Sequence, residues 1–302
     1  MSAAFLKHLK KDPSVKRLLH RSLARMEMPR SPKITHASDL TKENYCPRQV
    51  ALRILNGTKG TPTLLGTSMA TTFATGRMIE HALRNDWLVD HVVGFWKCSQ
   101  CGDRSKFGRR PMAGGSCGDN GCRWEYDEPR FKDPDSGVSC GVDFLLAQDV
   151  GKHLVVESKI MDKDMFRDLK MPLAEHRIRT MMYLSVIEKS EHPVSSRIDT
   201  SRAVILYMSR SFGFKDDEVN GYGVKDTAFS PFKEYIVKRN DELVEPLLEQ
   251  GRKMEQFKQQ GIAPPGICSS PKDPVAIKCD VCKLCFSGKY PAGQVVPEFE
   301  ES

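Results

Sequence analysis

The sequence has no run of about 18 consecutive apolar residues, which excludes a membrane-spanning helix. Its opening, Met1 to Lys11, has no apolar stretch of the kind a secretory leader needs. There is no acidic excess either: Lys and Arg number 46 against 39 Asp and Glu, a formal charge of +7. A basic balance suits a polyanionic partner such as nucleic acid. What remains is a soluble globular composition, 39% hydrophobic and 28% charged. Its 302 residues suffice for one large domain, or one domain with an insertion.

Cysteine is plentiful, with ten residues. Without an export leader, they are expected to be metal ligands rather than disulfide partners. Cys98 and Cys101 form one close pair, and Cys117 and Cys122 a second. Each short gap lets two sulfurs reach one ion, so the four read as a closed tetrahedral zinc ribbon. Its loop carries Arg104, Lys106, Arg109 and Arg110, with Phe95, Trp96, Phe107, Trp124 and Tyr126 in or beside it. Such a mixture can hold single-stranded or end-frayed DNA, or the ribbon can be a purely structural knob. Cys279, Cys282 and Cys285 place three thiolates in one turn, with Cys268 nearby. Four thiolates bind zinc or an iron–sulfur cluster equally well as chemistry. Cys140 is left over as a buried thiol.

Residues 141–160 read as two short strands joined by a tight turn at Asp149 to Lys152. Side chains two apart on a strand share a face, so Glu157 and Lys159 point together and Ser158 points away. Asp143, near the start of the first strand, lies across from the end of the second. Clustered carboxylates repel unless a cation sits between them, and Mg²⁺ or Mn²⁺ takes oxygen ligands. The plainer reading is an exposed hairpin with a Glu157–Lys159 salt bridge.

Gly141-Val142-Asp143 followed by Val155-Val156-Glu157-Ser158-Lys159 resembles the signature of the PD-(D/E)XK nuclease superfamily. The resemblance is to its RecB-type exonuclease branch, which includes the CRISPR-associated iron–sulfur exonucleases and many phage recombination nucleases. It implies an α/β fold: a restriction-endonuclease-like mixed sheet flanked by helices, here with a zinc-ribbon insertion and a C-terminal cysteine-cluster cap. It implies Asp143, Glu157 and the Ser158 backbone carbonyl as ligands for Mg²⁺ or Mn²⁺, with Lys159 beside the attacking water. Gly76 followed by Glu80 is similar to the family's helical metal-binding position, with adjacent His81 in reserve. His176, Arg179 and Tyr183 occupy a pattern that is His-x-x-Gln-x-x-x-Tyr in relatives, so substrate contacts are implied there; the arginine departs from that pattern. Tyr45-Cys46-Pro47-Arg48 is similar to the segment carrying a lone N-terminal cluster ligand. Cys46 would then join Cys279, Cys282 and Cys285 around a 4Fe–4S cluster, with Cys268 competing for a place and a second Zn²⁺ as the chemical rival. The implied activity is DNA exonuclease, with structure-specific endonuclease or a non-catalytic DNA-binding adaptor as alternatives. A bacterial or phage-infected host cytoplasm and a recombination or replication protein partner are implied likewise.

The implied organisation is a basic helical segment at 1–34, a nuclease domain at 35–290 with the ribbon inserted at 95–126 and a cap formed by Cys46 plus 268–285, and an acidic tail at 291–302. Within it, Ser38 or Asp39 can cap one short helix and Pro47 can open the next. Loops are predicted at 56–70, 161–171 and 211–230. Helices are predicted over about 69–89, 173–189 and 233–260, the last kinked near Pro246, with a central strand at 203–208.

Overall fold

Caps and alternation set the elements, and strand register then sets where the acids fall. The computed structural model describes residues 22, 31, 33–57, 67–112, 116–117, 121–148, 151–210, 219–220, 223–224, 231–290 and 292–293. The predicted basic helix at 5–30 (save residue 22), the loop at 58–66, most of the 211–230 loop and all but residues 292–293 of the tail lie outside the described residues.

Strand β1 (Thr35–His36) runs into the one-turn helix α1 (Ala37–Leu40). His36 takes its cap position, so Ser38 and Asp39 lie inside the helix rather than capping it. Helix α2 (Pro47–Asn56) opens at Pro47, whose fixed φ and missing N–H suit a first helical position. Gly57 ends it in left-handed backbone (φ +60°), donating its N–H to the Arg53 and Ile54 carbonyls at 3.1 and 3.2 Å. Helix α3 (Thr67–Ala82) passes into a π-helical turn, Leu83–Trp87, closed by the Leu88 N–H on the Leu83 carbonyl at 2.8 Å.

Seven strands follow: β2 (Val92–Val93), β3 (Phe95–Cys98), β4 (Trp124–Asp127), β5 (Arg130–Lys132), β6 (Val138–Gly141), β7 (Phe144–Leu146) and β8 (His153–Met161). Helix α4 (Lys163–Asp168) occupies a stretch the sequence predicts as loop. Asp162 starts it by accepting the Asp164 N–H at 2.9 Å, a cap signal hidden among polar residues. Helix α5 (Ala174–Lys189) and strand β9 (Ile198–Ser209) come next, then the short pair β10 (Val219–Asn220) and β11 (Gly223–Val224).

Strand β12 (Phe232–Lys238) replaces the first turns of the predicted helix at 233–260. Its burial alternates, with Val237 in and Glu234, Ile236 and Lys238 out, a period of two. Asn240 then accepts the Leu243 N–H at 3.2 Å and starts α6 (Asp241–Gln260), which runs through Pro246. The one-turn helices α7 (Pro274–Ile277) and α8 (Cys282–Cys285) close the described chain.

The fold is α/β with mixed sheets. The main sheet has five strands in the order β12-β9-β8-β7-β2, parallel between β8 and β9 and antiparallel elsewhere. The predicted strand at 203–208 falls in β9, an inner strand paired on both sides, and β8 beside it is the middle strand of the five. A three-stranded sheet, β1-β6-β5, lies beyond α5. α5 packs on β9 on one side and on β5 and β6 on the other. That explains why Thr180 to Ile187 are buried without interruption: the helix has apolar neighbours on both sides. No described helix is long and apolar enough to cross a membrane.

Candidate active site and metal centres

β7 and β8 pair with Phe144 opposite Val156. Continuing that register by one residue sets Asp143 opposite Glu157. The chain enters β7 from β6, and there Arg130 pairs with Gly141 while Val142 donates its N–H to the Pro129 carbonyl at 3.3 Å. One residue further, Glu128 lies opposite Asp143. Glu128 thus comes in beside the Asp143–Glu157 pair, its Oε1 lying over Gly141. Glu80 reaches the same group from α3, and the charge of Asp143 bears on all three of the others.

Glu157 is 3% exposed and its Oε1 accepts Lys159 Nζ at 2.5 Å. Its Oε2 is buried with no partner. A buried carboxylate oxygen without a donor is costly, so the arrangement calls for a cation there. Burial first, then the charge of Asp143, pushes the Glu157 pKa up to about 7, with Lys159 opposing. Glu80 is pushed to about 7 by burial, then Asp143. Asp143 Oδ2 accepts the Ser158 N–H at 2.6 Å and the Ser158 hydroxyl at 2.9 Å, which aims the carboxylate. Arg84 Nη1 donates to the Asp143 carbonyl at 3.1 Å. Burial works against the Lys159 ammonium, but Glu157 and Asp143 hold its pKa above the ordinary value. Its Nζ also donates to the Ser158 carbonyl at 3.1 Å, the oxygen the resemblance assigns to a metal.

His81 is exposed, whereas Glu80 is partly buried. His176 Nδ1 is 2.9 Å from the Tyr207 hydroxyl; burial, then Lys159 and Arg179, lower its pKa to about 4, so the ring is neutral. Arg179 donates from Nε to Thr41 Oγ1 at 3.2 Å, pairs with Glu175, and sends its charge toward Glu157. Tyr183 is buried, and burial, then Glu157, raises its hydroxyl well above the ordinary value. Glu128 is the member that sequence reasoning misses. It precedes Asp143 by a turn and two strands of another sheet, so only the pairing of β5 with β6 brings it in. Buried Cys140 lies beneath, its thiol pushed up by burial, then by Glu157 and Glu128.

The ribbon is the antiparallel pair β3–β4, with Cys98 opposite Trp124. The sulfurs of Cys98, Cys101, Cys117 and Cys122 all lie within 4.8 Å of one another, with Cys98 to Cys117 at 3.5 Å and Cys101 to Cys122 at 3.6 Å. A tetrahedron with metal–sulfur bonds of about 2.3 Å has edges of about 3.8 Å, so the four thiols fit one zinc ion. Gly102, at φ +80°, makes the tight turn and donates its N–H to the Cys98 carbonyl at 3.0 Å. Burial opposes ionisation of Cys98, but N–H donors from Cys101 and Gln100 bring its pKa down to about 6.

Of the two readings of the ribbon, the rings favour the structural one. Trp96, Trp124 and Tyr126 are buried, and Phe95 and Phe107 pack edge to face beneath Arg104 and Arg197. Hydrophobic packing of the ribbon against the body consumes these rings. Arg104 pairs with Asp127 at 2.6 Å, and Arg109 and Arg110 donate to the Asp90 and Asn85 carbonyls; Lys106 is exposed.

Cys46, Cys268, Cys279, Cys282 and Cys285 line one cavity between α2 and the C-terminal turns. They do not close as tightly as the ribbon set; among the described residues only the ribbon gathers three or more ligand atoms within 4.8 Å. Buried Arg48 fastens this region: Nε donates to Cys285 Sγ at 3.2 Å, Nη1 to the Pro264 carbonyl at 3.0 Å, and Nη2 to the Cys285 and Tyr290 carbonyls. Gln49 and Arg53 each donate to Asp280 at 2.7 Å.

No family model matches the chain, and no curated protein does. Solved structures that resemble it include the crystal structure of SSO0001, at 13% identity and a TM-score of 0.36, covering 94% of this chain and 97% of that one. LHK-Exo, an alkaline exonuclease from Laribacter hongkongensis, resembles it at 12% identity and a TM-score of 0.38, covering 76% and 90% of the two chains. LHK-Exo in complex with dAMP gives 14% identity and a TM-score of 0.40, covering 76% and 89%. Likenesses this weak carry no functional argument, which rests on the geometry.

Proposed function

We propose that this chain is a Mg²⁺- or Mn²⁺-dependent deoxyribonuclease, an exonuclease of the RecB-type PD-(D/E)XK group that works on DNA ends in recombination, repair or phage replication. The observation that carries this reading is the buried, unpartnered Glu157 Oε2 in a row with Asp143 and beside Lys159. Two aimed acids and one held amine are what phosphodiester hydrolysis needs around a divalent ion.

Asp143, Glu157 and Glu80 would hold the ion. Once bound, it supplies positive charge to the phosphate and lowers the pKa of an attacking water. Ser158 keeps Asp143 aimed through two hydrogen bonds. Lys159 stays protonated between Glu157 and Asp143, so it orients water and neutralises a phosphate oxygen rather than accepting a proton. Neutral His176 and charged Arg179 line the approach and suit contacts to the strand. In the reaction, the water oxygen would bond to phosphorus and release one proton to solvent, the bond from phosphorus to the leaving sugar oxygen would break, and that oxygen would take up a proton from solvent. The ribbon zinc and a 4Fe–4S cluster on four of the five remaining thiols are structural in this reading.

Linear and covalently closed circular DNA, each incubated with the protein and Mn²⁺, test it. Degradation of the linear form alone supports an exonuclease. Cutting of the circle supports the endonuclease alternative. Binding without cleavage of either supports a non-catalytic adaptor.

A further inference from the structure

Tyr207 is fully buried in β9, one strand over from Lys159. β8 and β9 run parallel with Lys159 opposite Tyr207, so both side chains rise from the same face of the sheet as Glu157. The Tyr207 ring packs edge to face against Tyr235 of β12 at 5.8 Å, which fixes it from the far side. Its hydroxyl meets two partners from the start of α5. The Leu173 N–H donates to it at 3.1 Å, and His176 Nδ1 lies 2.9 Å away. Among the described residues the hydroxyl has no other partner.

That pattern decides where the protons are. A tyrosine hydroxyl has one proton to give and lone pairs to receive. Burial, opposed by the Leu173 N–H, raises the Tyr207 pKa above its ordinary value, so the hydroxyl keeps its proton. The Leu173 amide can only donate. Were Nδ1 protonated, the hydroxyl would accept twice and its own proton would be buried without an acceptor, a costly arrangement. The hydroxyl therefore donates to Nδ1, and the neutral ring carries its proton on Nε2. Burial, then Lys159 and Arg179, keep that ring neutral. His176 is partly exposed, and among the described residues its Nε2 meets no partner. A neutral N–H held at the edge of the cleft, near an ammonium, suits a phosphate oxygen.

We propose that Tyr207 is a positioning residue of the cleft: its hydroxyl fixes His176 in the Nε2–H form, and that N–H donates to a phosphate oxygen of the bound strand. The inference rests on reading the cleft as a nuclease site.

Nuclear magnetic resonance of the full chain carrying isotope-labelled histidine shows which ring nitrogen of His176 is protonated, the signals being assigned by their loss in His176→Ala. At neutral pH the wild-type chain should carry the proton on Nε2, and the Nδ1 resonance should move in Tyr207→Phe as its hydrogen bond is lost. Cleavage of linear DNA with Mn²⁺ gives the second readout. Tyr207→Phe should lower kcat/KM about 10-fold, as when a histidine loses the partner that orients it. On a His176→Ala background the same change should cost almost nothing more, because the hydroxyl then has no ring to hold. A hydroxyl that merely anchors Leu173 would cost the same in both backgrounds. A wild-type proton on Nδ1, no loss in Tyr207→Phe, or the same loss in both backgrounds would overturn the proposal and leave the nuclease reading standing. Should Tyr207→Phe not fold, the wild-type tautomer and the order of two other variants decide. His176→Gln sets an N–H near the Nε2 position and should cleave faster than His176→Asn, which does not; the reverse order would overturn the proposal. A wild-type chain that leaves linear DNA intact would overturn the nuclease reading, and the proposal with it.

Discussion

At the ribbon, four sulfurs lie within 4.8 Å of one another because a hairpin and its turns bring them there. In the cleft, four carboxylates sit on strands, a turn and a helix, and no three of their oxygens gather that closely. Four thiolates that close could hold an ion with no position left for substrate; a looser carboxylate set would leave room for water and phosphate. A thiolate set like the ribbon's stabilises the fold. A carboxylate set like the cleft's costs stability and offers chemistry in return. Breaking each should therefore have opposite signatures.

The largest effect is expected in the cleft. Asp143→Ala or Lys159→Ala should lower cleavage of end-labelled linear DNA by at least about 10²–10³-fold, with DNA binding retained in a gel-shift assay. Thermal unfolding of Asp143→Ala should move little, because the strands themselves are held by backbone pairing, whereas Lys159→Ala leaves buried Glu157 without its amine and should lower it. Next comes the ribbon. Cys101→Ser should remove zinc, seen by elemental analysis, and lower the unfolding temperature, because metal-binding free energy there is folding free energy. A ribbon variant that keeps full stability would erase the contrast.

The second cysteine set sharpens it. Arg48→Met removes four hydrogen bonds that join α2 to the C-terminal segment, so absorbance near 400 nm, expected of an iron–sulfur cluster, should bleach faster under a chelator. Arg48→Lys should rescue little, since an ammonium cannot span sulfur and three carbonyls. The smallest effect is in pH. Glu157 and Glu80 have pKa values near 7 in the folded chain against an ordinary 4.5. Between those values the folded state binds more protons than the unfolded one, so stability is present below about 4.5 and is lost as pH rises through about 7. Cation-free protein should thus unfold at a lower temperature at pH 8 than at pH 5, Mn²⁺ should reverse the loss, and Glu157→Gln should flatten the slope.

Much of the site was legible because strand periodicity is local. The spacing of Glu157 and Lys159, the hairpin that sets Asp143 opposite Glu157, and the paired ribbon cysteines all follow from residues close in sequence. Glu128 was not legible: the β5–β6 hairpin that brings it beside Gly141 is as local as β7–β8, but its strands are three and four residues long and lack a run of alternating apolar residues. Which of the two readings of the ribbon aromatics holds was not legible either, since only tertiary packing turns Trp96 and Tyr126 inward. At 232–238, Lys and Glu favour helix while Tyr235, Ile236 and Val237 favour strand, and the open edge of β9 decides. The cavity lined by five thiols unites residues more than 200 positions apart, which spacing alone cannot anticipate.

One measurement bears most directly on the nuclease reading: nucleotide release from linear duplex DNA in the presence of Mn²⁺, for the anaerobically purified chain beside Glu157→Gln. The account predicts steady release by the wild-type chain and none by the variant, with both equally folded. Equal release by the two, or none by the wild-type chain with either Mn²⁺ or Mg²⁺, would contradict it.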